Sequence, residues 1–335
     1  MYSKIKKVVV GLVIVVLLAA IFFHGQYERA EVSDWGINFS QKRAEELGLN
    51  PLHVYIDMLA DLQPKKIRIV AYWDQIEPEP GRFEFHQVEE MLELAEKFNT
   101  EVILVLGKKQ PRWPECHEPQ WSLSLPVAEQ EAARFNMLTQ AVNHYKTYPA
   151  LKIWQVENEP LFKFGDRCPK IDREILRQEI ALVKSLDSRP VLVTDSGELG
   201  RWIPTATLGA DLFGSTMYKV VHNDYTGYFK YPVFPTIFRI KAGVLATFTD
   251  TKSVMGVELQ AEPWLVKGVW GTDLDEQLIL MNPRVFEHYT GFAREVGFKD
   301  NYLWGVEWWY WLAHHHGDWG MWQAAKDLIT KENLE

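Results

Sequence analysis

The segment Leu151–Pro160 reads LKIWQVENEP. It is β-rich over LKIWQVE (151–157) and then passes, without a spacer, into Asn158, Glu159 and a proline. An apolar run of this length that stops at a proline suits a buried strand. Asn158 and Glu159 would then stand at its carboxyl end, facing whatever space lies beyond. The fold depends on whether other strands deliver comparable groups to the same place.

Seven further runs share this character: DWGINF (34–39), KIRIVAY (66–72), EVILVLG (101–107), PVLVTD (190–195), DLFGSTMY (211–218), SVMGVEL (253–259) and NYLWGVEWW (301–309). Between them lie stretches of helical period. Pro51 after Asn50 opens one that carries Leu52, Ile56, Leu59 and Leu62 on one face. Val88, Met91, Leu92, Ala95 and Phe98 form a second stripe, and Phe135, Leu138, Val142 and Tyr145 a third. Asp172 caps a helix bearing Ile175, Leu176, Ile180 and Val183; Asn282-Pro283 opens one bearing Phe286, Tyr289, Phe292 and Ala293. Eight strand–helix repeats predict an α/β chain folded as a (β/α)8 TIM barrel. The rival, a doubly wound open sheet, lacks a glycine-rich phosphate loop after its first strand, where GINFSQKRAEE stands.

With 335 residues the chain is long enough for one such barrel. Its formal charge of −9 gives no basic footprint for nucleic acid. The 14 Trp exceed what an ordinary core needs and suit a site that stacks flat, weakly polar ligands, although plain packing accounts for most of them.

The N-terminus reads as a separate unit. Lys4, Lys6 and Lys7 precede an apolar run from Val8 to Phe23 with no polar face. An uncleaved signal anchor is expected, since AAIFFHGQYERA offers no clean small-x-small cleavage site. A cleaved signal is the alternative. Residues 1–30 would be the basic flank, anchor and linker, and residues 31–335 the catalytic barrel, held outside the cytoplasm. There two thiols can pair, so Cys116 in PRWPECHEP and Cys168 in FGDRCPK are expected to form a disulfide.

In a TIM barrel the site lies at the carboxyl ends of the strands. Gathering the groups there brings Arg68 and Trp73 from strand two, Asn158 and Glu159 from strand four, and Tyr218 from strand six. Glu258 comes from strand seven and Glu307, Trp308 and Trp309 from strand eight. Two carboxyls across one mouth suit acetal cleavage: one donates a proton to the leaving oxygen, the other stabilises or traps the oxocarbenium-like centre. Arg68 beside Glu258 and neutral Asn158 beside Glu159 would set the two apart.

These residues resemble clan A glycoside hydrolases, the (β/α)8 group with cellulase-like and β-galactosidase-like members. Asn158-Glu159-Pro160 is similar to the clan's acid/base motif, and GVELQAEPW supplies Glu258 where the clan has its nucleophile. WDQIEPEPGRFEF (73–85) looks like its W-x-x-x-E-P-x-x-G-x-F-x-F segment. The resemblance implies that Arg68 orients the nucleophile, Tyr218 bonds it and Trp308 is a sugar platform. It also implies retaining double displacement with carboxyls about 5–5.5 Å apart, and no cofactor. Two features depart from the pattern: Thr216 stands where many members have His, and Glu262 competes with Glu258 as nucleophile.

Trp113, Trp121 and Trp264 lie in expected mouth loops as sugar-stacking candidates. The run HHH (314–316) reads as a solvated loop rather than a metal site. Residues 228–248 read as the sixth barrel helix with its lead-in, with a membrane-surface segment the alternative. The expected function is a membrane-anchored retaining glycosidase acting on a β-linked oligo- or polysaccharide. A noncatalytic glycan-binding barrel, a transglycosidase using the same carboxyls and a metal-dependent hydrolase are the alternatives.

Overall fold

The computed structural model describes residues 2–31, 33–223, 225–251 and 253–332. Eight parallel strands close into a barrel: β1 (Asp34–Asn38), β2 (Lys66–Val70), β3 (Glu101–Leu106), β4 (Leu151–Val156), β5 (Val191–Asp195), β6 (Leu212–Met217), β9 (Val254–Gln260) and β10 (Asp300–Trp304). A two-stranded hairpin, β7 (Val220–Asn223) and β8 (Gly227–Lys230), follows β6 outside the barrel. Going round, the order is β1-β10-β9-β6-β5-β4-β3-β2.

The strands form where both faces are buried. On β2, Ile67 and Ile69 face the helices while Arg68 and Val70 point inward. The lower barrel interior is apolar, filled by Ile103, Leu192, Met255, Val257 and Tyr302. Gly36 makes room for the Tyr302 ring; a Cβ there would lie 2.5 Å from it. Above this layer the interior turns polar.

The expected helix starts are present. Asn50 caps His53 N at 3.0 Å, and Asp172 caps Glu174 N at 2.7 Å. Asn282 caps the helix Pro283–Val296, which ends on left-handed Gly297. Segment 228–248 closes the hairpin and continues into the barrel helix Pro235–Phe248.

Two expectations are corrected. Strand eight stops at Trp304 rather than running to residue 309, because Gly305 at φ 136° turns the chain into the helix Val306–His316. His314–His316 form that helix's exposed last turn, stacked on Tyr310 and Trp311, not a loop.

The N-terminal helix Tyr2–Gln26 contains an apolar stretch, Val8–Gln26, long enough to cross a membrane. Its outer part is exposed, whereas Phe23 packs on Phe248 and its carbonyl sits against Gly243 of the sixth barrel helix. Cys116 and Cys168 form a disulfide that ties the loop after β3 to the loop after β4.

Candidate active site

Local backbone geometry aims the groups at the mouth. After β4, Glu157 (φ 60°) and Glu159 (φ 45°) both take the left-handed region, unusual for glutamate. The Glu157 carboxylate is held by the backbone N–H groups of Lys108 and Lys109. Gly107 permits this, since a Cβ there would lie 2.5 Å from that carboxyl carbon. The Glu159 N–H donates to Thr194 Oγ1 at 2.9 Å, and Lys109 Nζ donates to the Glu159 carbonyl at 3.0 Å.

On β9, Val257 belongs to the inward apolar layer, so simple alternation would send Glu258 outward. Register shifts against both neighbours, at Ser215/Thr216 and at Asn301/Leu303, show a β-bulge here. The bulge turns Glu258 inward as well.

Arg68 is the hub. It donates to Glu258 Oε1 at 2.8 Å, Asn38 Oδ1 at 2.9 Å, Gln155 Oε1 at 2.7 Å and Asn158 Oδ1 at 3.0 Å. The second Glu258 oxygen accepts from the Tyr218 hydroxyl at 3.3 Å. Burial and then the Glu258 charge push Tyr218 well above the usual phenol range, which keeps it a donor. Glu258 therefore faces a cation and a phenol.

Glu159 has a different environment. Its Oε1 meets Thr216 Oγ1 at 3.2 Å, and Thr216 is in register opposite Glu258 on the neighbouring strand. Burial, followed by the charge of Glu258, raises Glu159 well above the ordinary carboxyl range. One carboxyl is charge-compensated and the other is driven toward its protonated form.

Several groups at the mouth were not anticipated. Glu115 accepts from Asn158 Nδ2 at 3.4 Å, and burial pushes it up to about 8. Arg112 pairs with Glu307 at 2.8 Å and also with Glu262, and its guanidinium lies 4.0 Å above the centre of the Trp304 ring. Glu262 is thus committed to Arg112, away from Arg68. Trp304, Arg112 and Glu307 join Asn38, Ser40 and Arg68 around a small cavity of about 10 Å³. Glu198, in the loop after β5, also reaches Thr216.

The expected tryptophans divide. Trp264 packs edge-on to Tyr218, with ring centres 5.8 Å apart, and continues through Phe164 to exposed Trp113 as an aromatic rim. Trp308 does not reach the mouth. It lies in the helix after β10, fully buried, with its indole N–H on Gln277. The tryptophan at the strand end is Trp304. Trp73 is also buried, its indole bonded to Glu77 and its ring edge-on to Trp121, whose own N–H caps the Glu77 carbonyl.

No protein-family model matches the chain, and no curated protein matches it in sequence. Solved structures do match in fold. Native xylanase 10B from Thermotoga maritima aligns at TM-score 0.58 and 16% identity, over 90% of this chain and 96% of that one. Endo-glycoceramidase II from a Rhodococcus species aligns at 0.54 and 13%, over 83% and 75%. A family 39 glycoside hydrolase from Bacteroides cellulosilyticus aligns at 0.52 and 16%, over 82% and 56%. At such identities the likeness is one of fold.

Proposed function

We propose that this barrel is a retaining β-glycoside hydrolase of the clan A type, with Glu159 as acid/base and Glu258 as nucleophile. The observation that carries the reading is the asymmetry of the two carboxyls. Glu258 accepts from Arg68 and Tyr218, whereas Glu159 bonds to the Thr216 hydroxyl and, through burial and the nearby Glu258 charge, is shifted toward its neutral form. That split is what double displacement needs.

In the first step the Glu258 carboxylate attacks the anomeric carbon. Glu159 gives its proton to the leaving oxygen, and a glycosyl ester forms on Glu258. In the second step Glu159, now a carboxylate, takes a proton from water as that water displaces Glu258 and restores both groups. Arg68 holds the attacking oxygen in line, and Asn158 offers its amide to the sugar hydroxyl next to the anomeric carbon once Glu115 gives way. The rim of Tyr218, Trp264 and Trp113 offers ring faces to further sugars of an oligo- or polysaccharide. Transfer to a second sugar in place of water would use the same carboxyls.

The apolar helix within residues 1–30 is read as a signal anchor, with the flank carrying Lys4, Lys6 and Lys7 on the cytoplasmic side and the barrel of residues 31–335 outside. The Cys116–Cys168 disulfide agrees with an oxidising compartment.

A 2-fluoro glycosyl fluoride panel tests the chemistry. A stable adduct on the peptide carrying Glu258, absent from Glu258→Gln, is the expected result; labelling of Glu262 or of nothing would overturn the assignment. One observation favours a noncatalytic glycan-binding barrel: Arg112 covers the face of Trp304. That reading predicts sugar binding without turnover on any chromogenic β-glycoside.

A further inference from the structure

Thr216 Oγ1 touches two carboxyls at once. Glu159 Oε1 lies at 3.2 Å and Glu198 Oε2 at 3.3 Å, while the Gly197 N–H donates to the same oxygen at 3.1 Å. A hydroxyl has one proton to give and two lone pairs to accept with. One lone pair is taken by Gly197, and the proton can satisfy only one carboxylate. The other carboxyl makes a hydrogen bond to Thr216 only if it carries a proton itself. Two ionised carboxylates here would leave one oxygen facing the hydroxyl lone pair.

We propose that Glu159 and Glu198 share one proton through the Thr216 hydroxyl, and that Glu198 is a positioning residue setting when Glu159 holds that proton. The inference rests on Glu159 being the acid/base and deepens that reading. The exchange is balanced: protonated Glu198 gives its proton to Thr216 Oγ1 as the Thr216 proton passes to Glu159, and the hydroxyl is restored. The reverse passage returns Glu198 to its acid form.

The surroundings fit this role. Glu198 Oε1 accepts the Tyr218 N–H at 2.6 Å and Oε2 also meets Ser196 Oγ at 3.3 Å, so its position is fixed. Lys241 of the helix Pro235–Phe248 faces it, bonded to the Gly197 carbonyl at 2.7 Å, and Lys219 and Tyr231 stand nearby. Around Glu159 stand Glu258 on β9, Lys109 and Glu115 after β3, and Asp195 on β5. Burial raises both members of the pair, Glu198 to about 7.

The test uses the full chain in detergent, labelled with glutamate carrying ¹³C at the side-chain carboxyl and titrated by NMR, with Glu159→Gln and Glu198→Gln assigning the signals. The wild type is expected to show two linked steps. In Glu198→Gln the Glu159 step should fall by about one pH unit, because a like charge is gone. Thr216→Val should narrow the gap between the two steps, and Thr216→Ser should restore it. The basic limb of kcat/KM should move with the Glu159 step. An unmoved Glu159 step in Glu198→Gln, or an unchanged gap in Thr216→Val, overturns the relay; should Glu198→Gln not fold, the Thr216 pair decides alone. The titration needs no substrate. A shifted step without turnover keeps the relay and rejects the glycosidase, and turnover with an unshifted step does the reverse.

Discussion

Arg68 Nη1 lies 2.8 Å from Glu258 Oε1, with both side chains almost wholly withdrawn from solvent. The same guanidinium serves Asn38, Gln155 and Asn158, so it fixes the Glu258 carboxylate, the proposed nucleophile, and the Asn158 amide beside Glu159 in one rigid fork. Arg68→Lys cannot replace it, because a point charge on a flexible stem lacks that geometry. Either Arg68→Lys or Arg68→Met is expected to lower kcat/KM by about 10²-fold or more. Arg68→Met leaves a buried carboxylate unpaired and should cost about 3–5 kcal/mol in urea unfolding. Adding Glu258→Gln to Arg68→Met should recover much of that loss. Strict additivity of the two losses would show that the pair is not coupled.

The raised ionisation of Glu159 fixes the sign of the pH profile. In the proposed role of general acid Glu159 works in its protonated form, so kcat/KM on substrates with poor leaving groups should fall as pH rises through its elevated value. In Glu159→Gln that basic limb should vanish. Activated aryl glycosides should still form the glycosyl ester, and azide should speed its release. A basic limb that survives in Glu159→Gln assigns the titration to another group.

Glu115 makes a stability prediction of opposite sense to a salt-bridged carboxylate. Its folded value, about 8, lies above the ~4.3 of an unfolded glutamate, chiefly through burial. The folded chain therefore holds a proton that the unfolded chain releases. This contribution is complete below the unfolded value and is lost as pH rises through about 8. Urea midpoints should decline from pH 5 to pH 8.5, and Glu115→Gln should flatten the decline and be the more stable protein at the upper end. A wild-type midpoint independent of pH across this range would contradict the burial of an acid at this position.

The barrel was legible because the strands are short β-rich runs, several of them rich in Val and Ile, and because Asn50, Asp172 and Asn282 mark helix starts by residue type. What failed was local ambiguity. The apolar run after Asn301 passes from a strand into a buried helix without any polar residue except Glu307, and only Gly305 marks the corner, so Trp308 was placed at the mouth in the position of Trp304. The inward aim of Glu258 depends on a bulge against two neighbouring strands, which spacing along one strand cannot reveal. Glu198 was within reach of the strand-end rule, since it follows β5 directly in DSGELG. Arg112 and Glu115 flank a cis Trp113–Pro114 bond, each at positive φ, and their contacts join residues 43 to 195 positions apart. Cys116 next to Glu115 was the available hint that this loop is held in place.

The disulfide has a consequence at the mouth as well as in the unfolded chain. It closes a loop of 52 residues, for which chain entropy gives about 4 kcal/mol. Its first cysteine follows Glu115, the carboxyl that occupies the Asn158 amide. The double variant Cys116→Ser, Cys168→Ser is expected to unfold at lower urea by an amount of that order. It should also show faster amide exchange at residues 109–117 while the strands remain protected. Loss of stability without faster exchange in this loop would confine the bridge to an effect on the unfolded chain.

Gly243 tests whether the N-terminal helix is docked or merely attached. A Cβ at this position would lie 1.7 Å from the Phe23 carbonyl oxygen, a distance no packing can accept. Ring contact between Phe23 and Phe248 and the Tyr27 hydroxyl on the Gly297 carbonyl at 3.1 Å hold the same turns against the barrel. Gly243→Leu must therefore push the N-terminal helix away, and Gly243→Ala should do so to a smaller extent. In detergent or vesicles, amide exchange across residues 19–27 should rise in that order, with turnover and the barrel's protection unchanged, because the contact lies on the outer face of the sixth helix, away from Glu159 and Glu258. Unaltered exchange in Gly243→Leu would mean that the helix is held only by its covalent link to β1.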